Sequence, residues 1–219
     1  MATKKSTLTK DKIVSMFMQD TLENNEKPKS VYHFAKANGI TEAEFYTLFG
    51  GLEGVEKEIF NQFLEKTKEL LNKDKDYEYY DMKSKMLSFY FTFFELLAAN
   101  RSYVVLSLKG DKNPLQGLMQ LSSLRNGFKD FVSEIISDEY RLKQEKFQQI
   151  QEKAIQESAW FQLIMTLKFW LDDTSASFEK TDLFIEKSVK ASFELMNTAP
   201  LESLIDFGKF LFKEKIQHN

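Results

Sequence analysis

The chain has 219 residues, of which 42% are hydrophobic and 29% are charged, and its formal net charge is −3. This composition is typical of a folded globular protein rather than of a disordered or fibrous chain. The chain contains no cysteine. Disulfide-stapled folds, thiol nucleophiles and cysteine-based zinc sites are therefore excluded.

The sequence predicts an all-α protein. It contains only 8 glycines and 3 prolines, and alternating apolar and polar runs bounded by turn residues are hard to find. We expect helices near residues 10–24, 31–38, 42–48, 53–72, 78–99, 115–137, 138–171 (where a break is possible), 181–197 and 201–216. The charged run at residues 72–76 is the expected hinge, which predicts one domain over residues 1–72 and a larger helical domain over residues 73–219.

The segment from Ser30 to Val55 predicts two short helices joined by a tight turn. Ser30 can cap the first helix, and Gly39 supplies the positive φ that the turn demands. Thr41 then opens the second helix and forms a capping box with Glu44. This order of residues predicts a helix-turn-helix.

The run AKANGIT at residues 35–41, followed by Phe45-Tyr46 and Leu48-Phe49, resembles the DNA-binding domain of TetR-type transcriptional regulators. A weaker similarity, to the C-terminal domain of one TetR subgroup, lies at Phe169–Asp173 followed by Phe178–Asp182. The resemblance implies a TetR-like fold, in which a helix-turn-helix domain precedes a larger helical domain for ligand binding and dimerisation.

A helix-turn-helix places its second helix in the major groove of DNA. The residues expected to contact DNA are basic or carry a hydroxyl group: Lys4, Lys5, Lys10, Lys12, Lys36, Thr41, Tyr46 and Thr47. In TetR-type proteins the tyrosine that corresponds to Tyr46 commonly touches a phosphate. The lysines of the N-terminal tail either follow a groove as a basic arm or belong to a solubilising terminus.

The charge of this region predicts weak DNA binding. Residues 1–60 hold eight lysines, nine acidic residues and no arginine, so the guanine contact that arginine usually makes is missing. Glu42 lies in the recognition helix, and Leu52 stands where many TetR-like sequences have a lysine. Attraction to phosphate supplies much of the affinity for DNA, so a DNA-binding domain with a net charge near zero binds weakly.

Two aromatic-rich helices in the C-terminal part predict an apolar ligand pocket. The residues expected to line it are Tyr90, Phe93, Phe94, Tyr103, Trp160, Met165 and Phe169. The alternative is a plain helical core.

The helices near residues 159–171 and 182–197 carry more apolar positions than one packing partner requires, among them Phe184, Val189, Phe193 and Met196. The resemblance implies that two such helices from each chain form a four-helix dimer interface. The alternative is that both helices pack within one chain.

We expect a cytoplasmic protein, because the N-terminus lacks the apolar region of a signal peptide and no run is long enough for an integral membrane segment. The leading hypothesis is a homodimeric TetR-like regulator that binds DNA and an apolar effector. It is not an enzyme, and it needs neither a cofactor nor a metal. The alternative is a protein of TetR fold that has lost DNA binding and carries or presents a lipid or isoprenoid.

Overall fold

A computed structural model describes residues 7–109, 117, 119–136 and 145–198. Within these residues the regular structure is helical, without strands, as the sequence predicts. The helices are α1 (Lys10–Asn24), α2 (Val31–Ala37), α3 (Glu42–Tyr46), α4 (Leu52–Leu71), α5 (Met82–Ala99), α6 (Arg101–Lys109), α7 (Ser122–Ile135), α8 (Glu145–Asp172) and α9 (Glu179–Thr198). Short 3-10 segments lie at Tyr77–Tyr79 and Ala176–Phe178. In the ranges described, no helix is both long and apolar enough to span a bilayer.

The helix α6 was missing from the sequence-based expectation. It follows α5 almost without interruption: Asn100 donates its N–H to the carbonyl of Leu97 and accepts the N–H of Val104, at 3.0 and 3.1 Å. No glycine or proline separates the two helices, and neighbouring β-branched valines lower the helix propensity of this stretch. The helix predicted over residues 201–216 lies outside the described residues.

The chain divides by contacts into two compact units. Unit 1 comprises residues 1–69 and 93–127, and unit 2 comprises residues 70–92 and 128–219. Residues 93–127 group with the N-terminal helices in part because α6 packs against α1. The functional boundary that the sequence places between residues 72 and 73 stays a prediction, and the compact units do not follow a single cut there.

Unit 1 has an aromatic core beneath the helix-turn-helix. The ring of Phe34, fully buried on α2, lies 5.9 Å from that of Phe17 and 5.8 Å from that of Phe45. Phe45 in turn lies 6.1 Å from Phe49. These contacts hold α2 and α3 against α1, so the exposed faces of α2 and α3 have a fixed orientation.

Unit 2 is built around Phe89 of α5. Its ring centroid lies 5.0 Å from that of Phe128 and 4.7 Å from that of Phe131, both on α7. Phe128 also approaches Trp160 of α8 at 6.5 Å. The last two helices, α8 and α9, pack against each other.

Candidate DNA-binding surface and ligand cavity

The turn of the helix-turn-helix has the geometry that the sequence predicts. Ser30 caps α2 by accepting the N–H of His33 at 3.2 Å, and Gly39 has a φ of 64°. The N–H of Ile40 reaches the carbonyl of Ala35 at 3.0 Å, and that of Gly39 reaches Lys36 at 3.5 Å. This pair of bonds is a Schellman motif, which ends α2 and reverses the chain within two residues.

The capping box at the start of α3 is also confirmed. Thr41 donates its N–H to the carboxylate of Glu44 at 2.8 Å, and Glu44 donates its own N–H to the Thr41 hydroxyl at 3.1 Å. Glu44 is therefore held by its own helix. Its charge balances the positive end of α3.

The predicted DNA-contacting residues that the structure describes are all exposed: Lys10, Lys12, Lys36, Thr41, Tyr46 and Thr47. Lys4 and Lys5 lie outside the described residues. Tyr46 projects from α3 with 54% of its surface exposed. The ammonium groups of Lys10 and Lys36 lie over the rings of Phe49 and Tyr32, at 5.6 and 5.9 Å. Exposed cation–π contacts of this kind are weak, so both lysines can turn towards an anion.

The two threonine hydroxyls already donate their hydrogens within the helix-turn-helix. Thr41 donates to the Glu44 carboxylate at 2.9 Å, and Thr47 donates to the backbone carbonyl of Glu44 at 2.6 Å. A hydroxyl has a single hydrogen to donate. Either threonine must give up this bond before it can donate to a phosphate, which leaves Tyr46 as the readier hydroxyl donor on α3.

The seven predicted ligand-binding residues are distributed over both compact units, and their role in binding a ligand stays a prediction. Tyr90 is buried in unit 2, whereas Phe93, Phe94 and Tyr103 are buried in unit 1. Burial raises the pKa of the Tyr90 hydroxyl above its ordinary value. Trp160 is half-buried against Phe128. Met165 and Phe169 share a shallow surface pocket with Lys168 and Lys180.

A different set of residues lines a partly open, mainly apolar cavity of about 190 Å³ within unit 2. The cavity lies where the start of α5, the end of α7, the middle of α8 and the end of α9 meet, and its walls include Met86, Val132, Ile155, Phe193 and Met196. None of the seven predicted residues belongs to its lining. Hydrophobic periodicity identifies the buried faces, but which of them leave space depends on side-chain packing between helices.

The polar groups that the described residues contribute to this cavity are few and neutral. They come from Ser158, Gln162 and Ser192, and no charged residue occurs among the described lining residues. Ser192 donates its hydroxyl to the side-chain carbonyl of Gln162 at 2.9 Å. The Gln162 amide donates to the Ser188 hydroxyl at 3.2 Å.

The outer face of α8 carries a row of exposed apolar side chains, which we call the α8 stripe. It consists of Phe161, Met165 and Phe169, spaced four residues apart, with exposures of 65%, 39% and 38%. Leu183 and Leu195 of α9 are exposed to 48% and 61%. Of the residues expected at a dimer interface, Val189 is buried within the unit, and Phe193 and Met196 line the cavity.

The described residues contain no cluster of three or more acidic or histidine side chains that could hold a metal ion.

The family model of tetracyclin repressor-like C-terminal domains matches residues 85–211, just over half of the chain. No curated protein sequence matches the chain significantly. A similar solved structure is that of the fatty acid degradation regulator FadR from Bacillus halodurans. It has 19% sequence identity and a TM-score of 0.53, over 84% of this chain and 95% of the FadR chain.

Proposed function

Since the chain belongs to the tetracyclin repressor (TetR) family of regulators, we propose that it is a homodimeric, DNA-binding transcriptional regulator that acts in the cytoplasm and responds to an apolar small molecule. The observation that carries this proposal is the complete helix-turn-helix, with its Schellman turn at Gly39 and its capping box at Thr41. Such a motif presents a short, rigid helix for insertion into the major groove.

Tyr46 is the residue we assign to phosphate. It is exposed and lies on α3, and its ring is held edge-on against buried Phe45, with ring centroids 5.6 Å apart. A phenol fixed in this way can donate a hydrogen bond to a phosphate oxygen with little loss of side-chain entropy. Lys10 and Lys12 on α1 and Lys36 on α2 supply exposed positive charge within the same unit.

The α8 stripe, together with Leu183 and Leu195, supports a homodimer. Monomeric proteins rarely expose contiguous apolar patches of large side chains, and such patches mark interaction sites. A two-fold axis across α8 and α9 would pair the stripe with its own copy, as in an isologous four-helix interface.

The cavity in unit 2 supports the apolar effector. Its walls are formed by four helices, so filling it would couple to their packing and hence to the geometry of the dimer. The FadR structure is described as that of a fatty acid degradation regulator. Molecules with an alkyl chain are therefore the first effectors to test.

A second candidate function has one observation in its favour. Exposed Glu42 lies in α3, which has no basic residue, and this surface repels phosphate. A protein with such an acidic recognition helix could keep the TetR fold, lose DNA binding, and carry or present a lipid or isoprenoid in unit 2.

Selection of genomic fragments on the purified protein separates the two functions. A regulator enriches a small set of fragments, and Tyr46→Ala weakens its binding to them about tenfold, the loss of one charge-assisted hydrogen bond. Tyr79→Ala is the matched control, because Tyr79 is 79% exposed but lies outside the helix-turn-helix. If no fragment is enriched and a lipid co-purifies in native mass spectrometry, the carrier function replaces the regulator.

A further inference from the structure

We propose that the C-terminal segment of this chain, residues 201–216, packs as an amphipathic helix over the open side of the cavity in unit 2. This proposal goes beyond the regulator function and depends on neither DNA nor an effector. Residues 201–216 lie outside the described residues. The proposal therefore rests on the lining of the cavity, on the sequence of the segment and on its attachment to α9.

The cavity has an apolar open side that a further element of the protein can cover. Of its lining residues, Met86, Val132 and Ile155 are buried, whereas Ser158 and Leu195 are exposed. Half-buried apolar side chains also belong to the lining: Met82, Ile135, Ala154, Ala159, Phe193 and Met196. Removal of such surface from water contributes about 25 cal/mol per Å². A helix with an apolar face would therefore stabilise unit 2 by covering the open side, and the buried walls would remain available to an effector.

The sequence of residues 201–216 has the pattern of a helix with one apolar face. Six apolar residues recur along it at helical spacing: Leu201, Leu204, Ile205, Leu211, Phe212 and Ile216. At 3.6 residues per turn these positions fall within an arc of about 140°. Lys215 is the only charged residue inside this arc, and the other charged residues fall outside it, as do Phe207 and Phe210. A helix of this length is marginal alone in water, so its apolar face needs a packing partner.

The attachment of the segment to α9 holds its start next to the cavity. Phe193 and Met196, in the last two turns of α9, line the cavity, and α9 ends at Thr198. Pro200 has no N–H to continue α9, and proline favours the first turn of a new helix. Two helices joined by so short a connection form an antiparallel hairpin. Such a hairpin would place the first turns of the segment beside the part of α9 that lines the cavity.

The short connection also favours this segment over a second copy of the chain. A second copy competes at its own concentration, commonly micromolar, whereas a segment on a short linker has an effective concentration in the millimolar range. At equal intrinsic affinity the segment is favoured roughly a thousandfold. The family model gives independent support, because its match continues past α9 to Leu211. The first part of the segment therefore belongs to the domain that the family shares.

The absence of cysteine from the chain allows the cover to be tested in the full-length protein. Ser158→Cys places a thiol at an exposed position of the cavity lining on α8. Ser102→Cys is the control, because Ser102 is exposed on α6 and does not line the cavity. The rate at which a maleimide reacts with each thiol reports how far that thiol is covered.

A matched pair of substitutions in the segment identifies what covers the thiol. Leu204→Asp places a carboxylate on the apolar face, and Ser203→Asp places the same group outside it, one residue earlier. In Ser158→Cys protein, Leu204→Asp should raise the reaction rate about tenfold or more, because loss of one buried leucine shifts the packing equilibrium by at least that factor. Leu211→Asp, on the same face, should act similarly, and Ser203→Asp should leave the rate unchanged. None of these changes should alter the rate in Ser102→Cys protein, and circular dichroism establishes that each variant is folded.

Three results would overturn the proposal. A Ser158→Cys reaction rate that neither Leu204→Asp nor Leu211→Asp changes would show that the segment does not cover the cavity. A slow reaction that accelerates on dilution of the protein would identify a second copy of the chain as the cover. Equal acceleration by Leu204→Asp and Ser203→Asp would show that the apolar face of the segment has no part in the packing.

Discussion

Asp173 accepts two hydrogen bonds from Thr181, one from its backbone N–H at 3.0 Å and one from its hydroxyl at 2.7 Å. The other carboxylate oxygen accepts the N–H and the hydroxyl of Ser175, at 2.8 and 2.7 Å. The side chain thus joins the end of α8 to the first turn of α9, where an anion is also stabilised by the helix dipole. Both residues lie in the segments that resemble the C-terminal domain of a TetR subgroup.

We predict that Asp173→Asn lowers the free energy of unfolding by about 2 kcal/mol, because an amide loses both the charge and one acceptor from this network. Urea denaturation at pH 7 measures the change. Asp172→Asn is the control, since Asp172 is exposed beside it, and we expect a change within about 0.5 kcal/mol. Equal effects of the two substitutions would show that the network contributes nothing specific.

The same network predicts a pH dependence. Burial raises the pKa of Asp173, but the hydrogen bonds from Thr181 and Ser175 outweigh it and lower the pKa to about 2, from the ordinary aspartate value of 3.8. The native state therefore binds this proton less readily than the unfolded state, and the contribution is complete above pH 3.8 and lost as the pH falls towards 2. The stability difference between wild type and Asp173→Asn should be constant from pH 7 to 5 and shrink between pH 4 and 2. A difference that stays constant to pH 3 would contradict this assignment.

The positive φ of Gly39 makes a third prediction. Because a Cβ is strained at φ 64°, Gly39→Ala should destabilise the protein by about 1 to 2 kcal/mol, although no neighbouring atom lies within 4 Å of the added carbon. Gly50→Ala is the control, because Gly50 is equally open and has no positive φ. Thermal unfolding of both variants measures the difference. A Gly39→Ala protein as stable as Gly50→Ala would exclude backbone strain at this turn.

The α8 stripe makes a fourth prediction. Phe161→Asp places a charge on the most exposed residue of the stripe, and the wild-type dimer should become a monomer in light scattering, since obligate interfaces bury about 2,000 Å² or more of mostly apolar surface. Leu22→Asp is the control: Leu22 is an exposed apolar residue of α1, and this variant should remain dimeric. Substitution of Phe161 tests the dimer alone, because Phe161 does not line the cavity, whereas substitution of Phe193 would also alter the cavity. A wild-type protein that is monomeric at micromolar concentration would contradict the proposed homodimer.

The helix-turn-helix could be predicted residue by residue because its signals are local. Ser30, Gly39, Thr41 and Glu44 each act on backbone groups within three or four positions of themselves, so the sequence contains the whole motif. The cavity could not be predicted in this way. Phe193 belongs to an apolar row on α9, but the row does not reveal whether a second chain, a neighbouring helix or an empty volume faces it.

The exposed row on α8 could have been found from the sequence. Phe161, Met165 and Phe169 recur at intervals of four, on a different face from buried Leu163, Leu167 and Trp170. A helix with two apolar faces has two packing partners. Separating the faces by their phase, rather than counting apolar residues along the helix, would have identified both.

Fluorescence anisotropy on a selected genomic fragment and on random DNA, over a salt series, tests the central claim that this TetR-family protein is a DNA-binding regulator. We expect the fragment to bind more tightly than random DNA. A protein that makes six phosphate contacts typically loses about 10³-fold in affinity between 50 and 200 mM salt, and we expect the affinity for random DNA to fall by less than that. Glu42→Lys should tighten binding to random DNA, because it replaces an exposed carboxylate on α3 with an ammonium group. Absence of binding to any genomic fragment, even at 50 mM salt, would contradict the account.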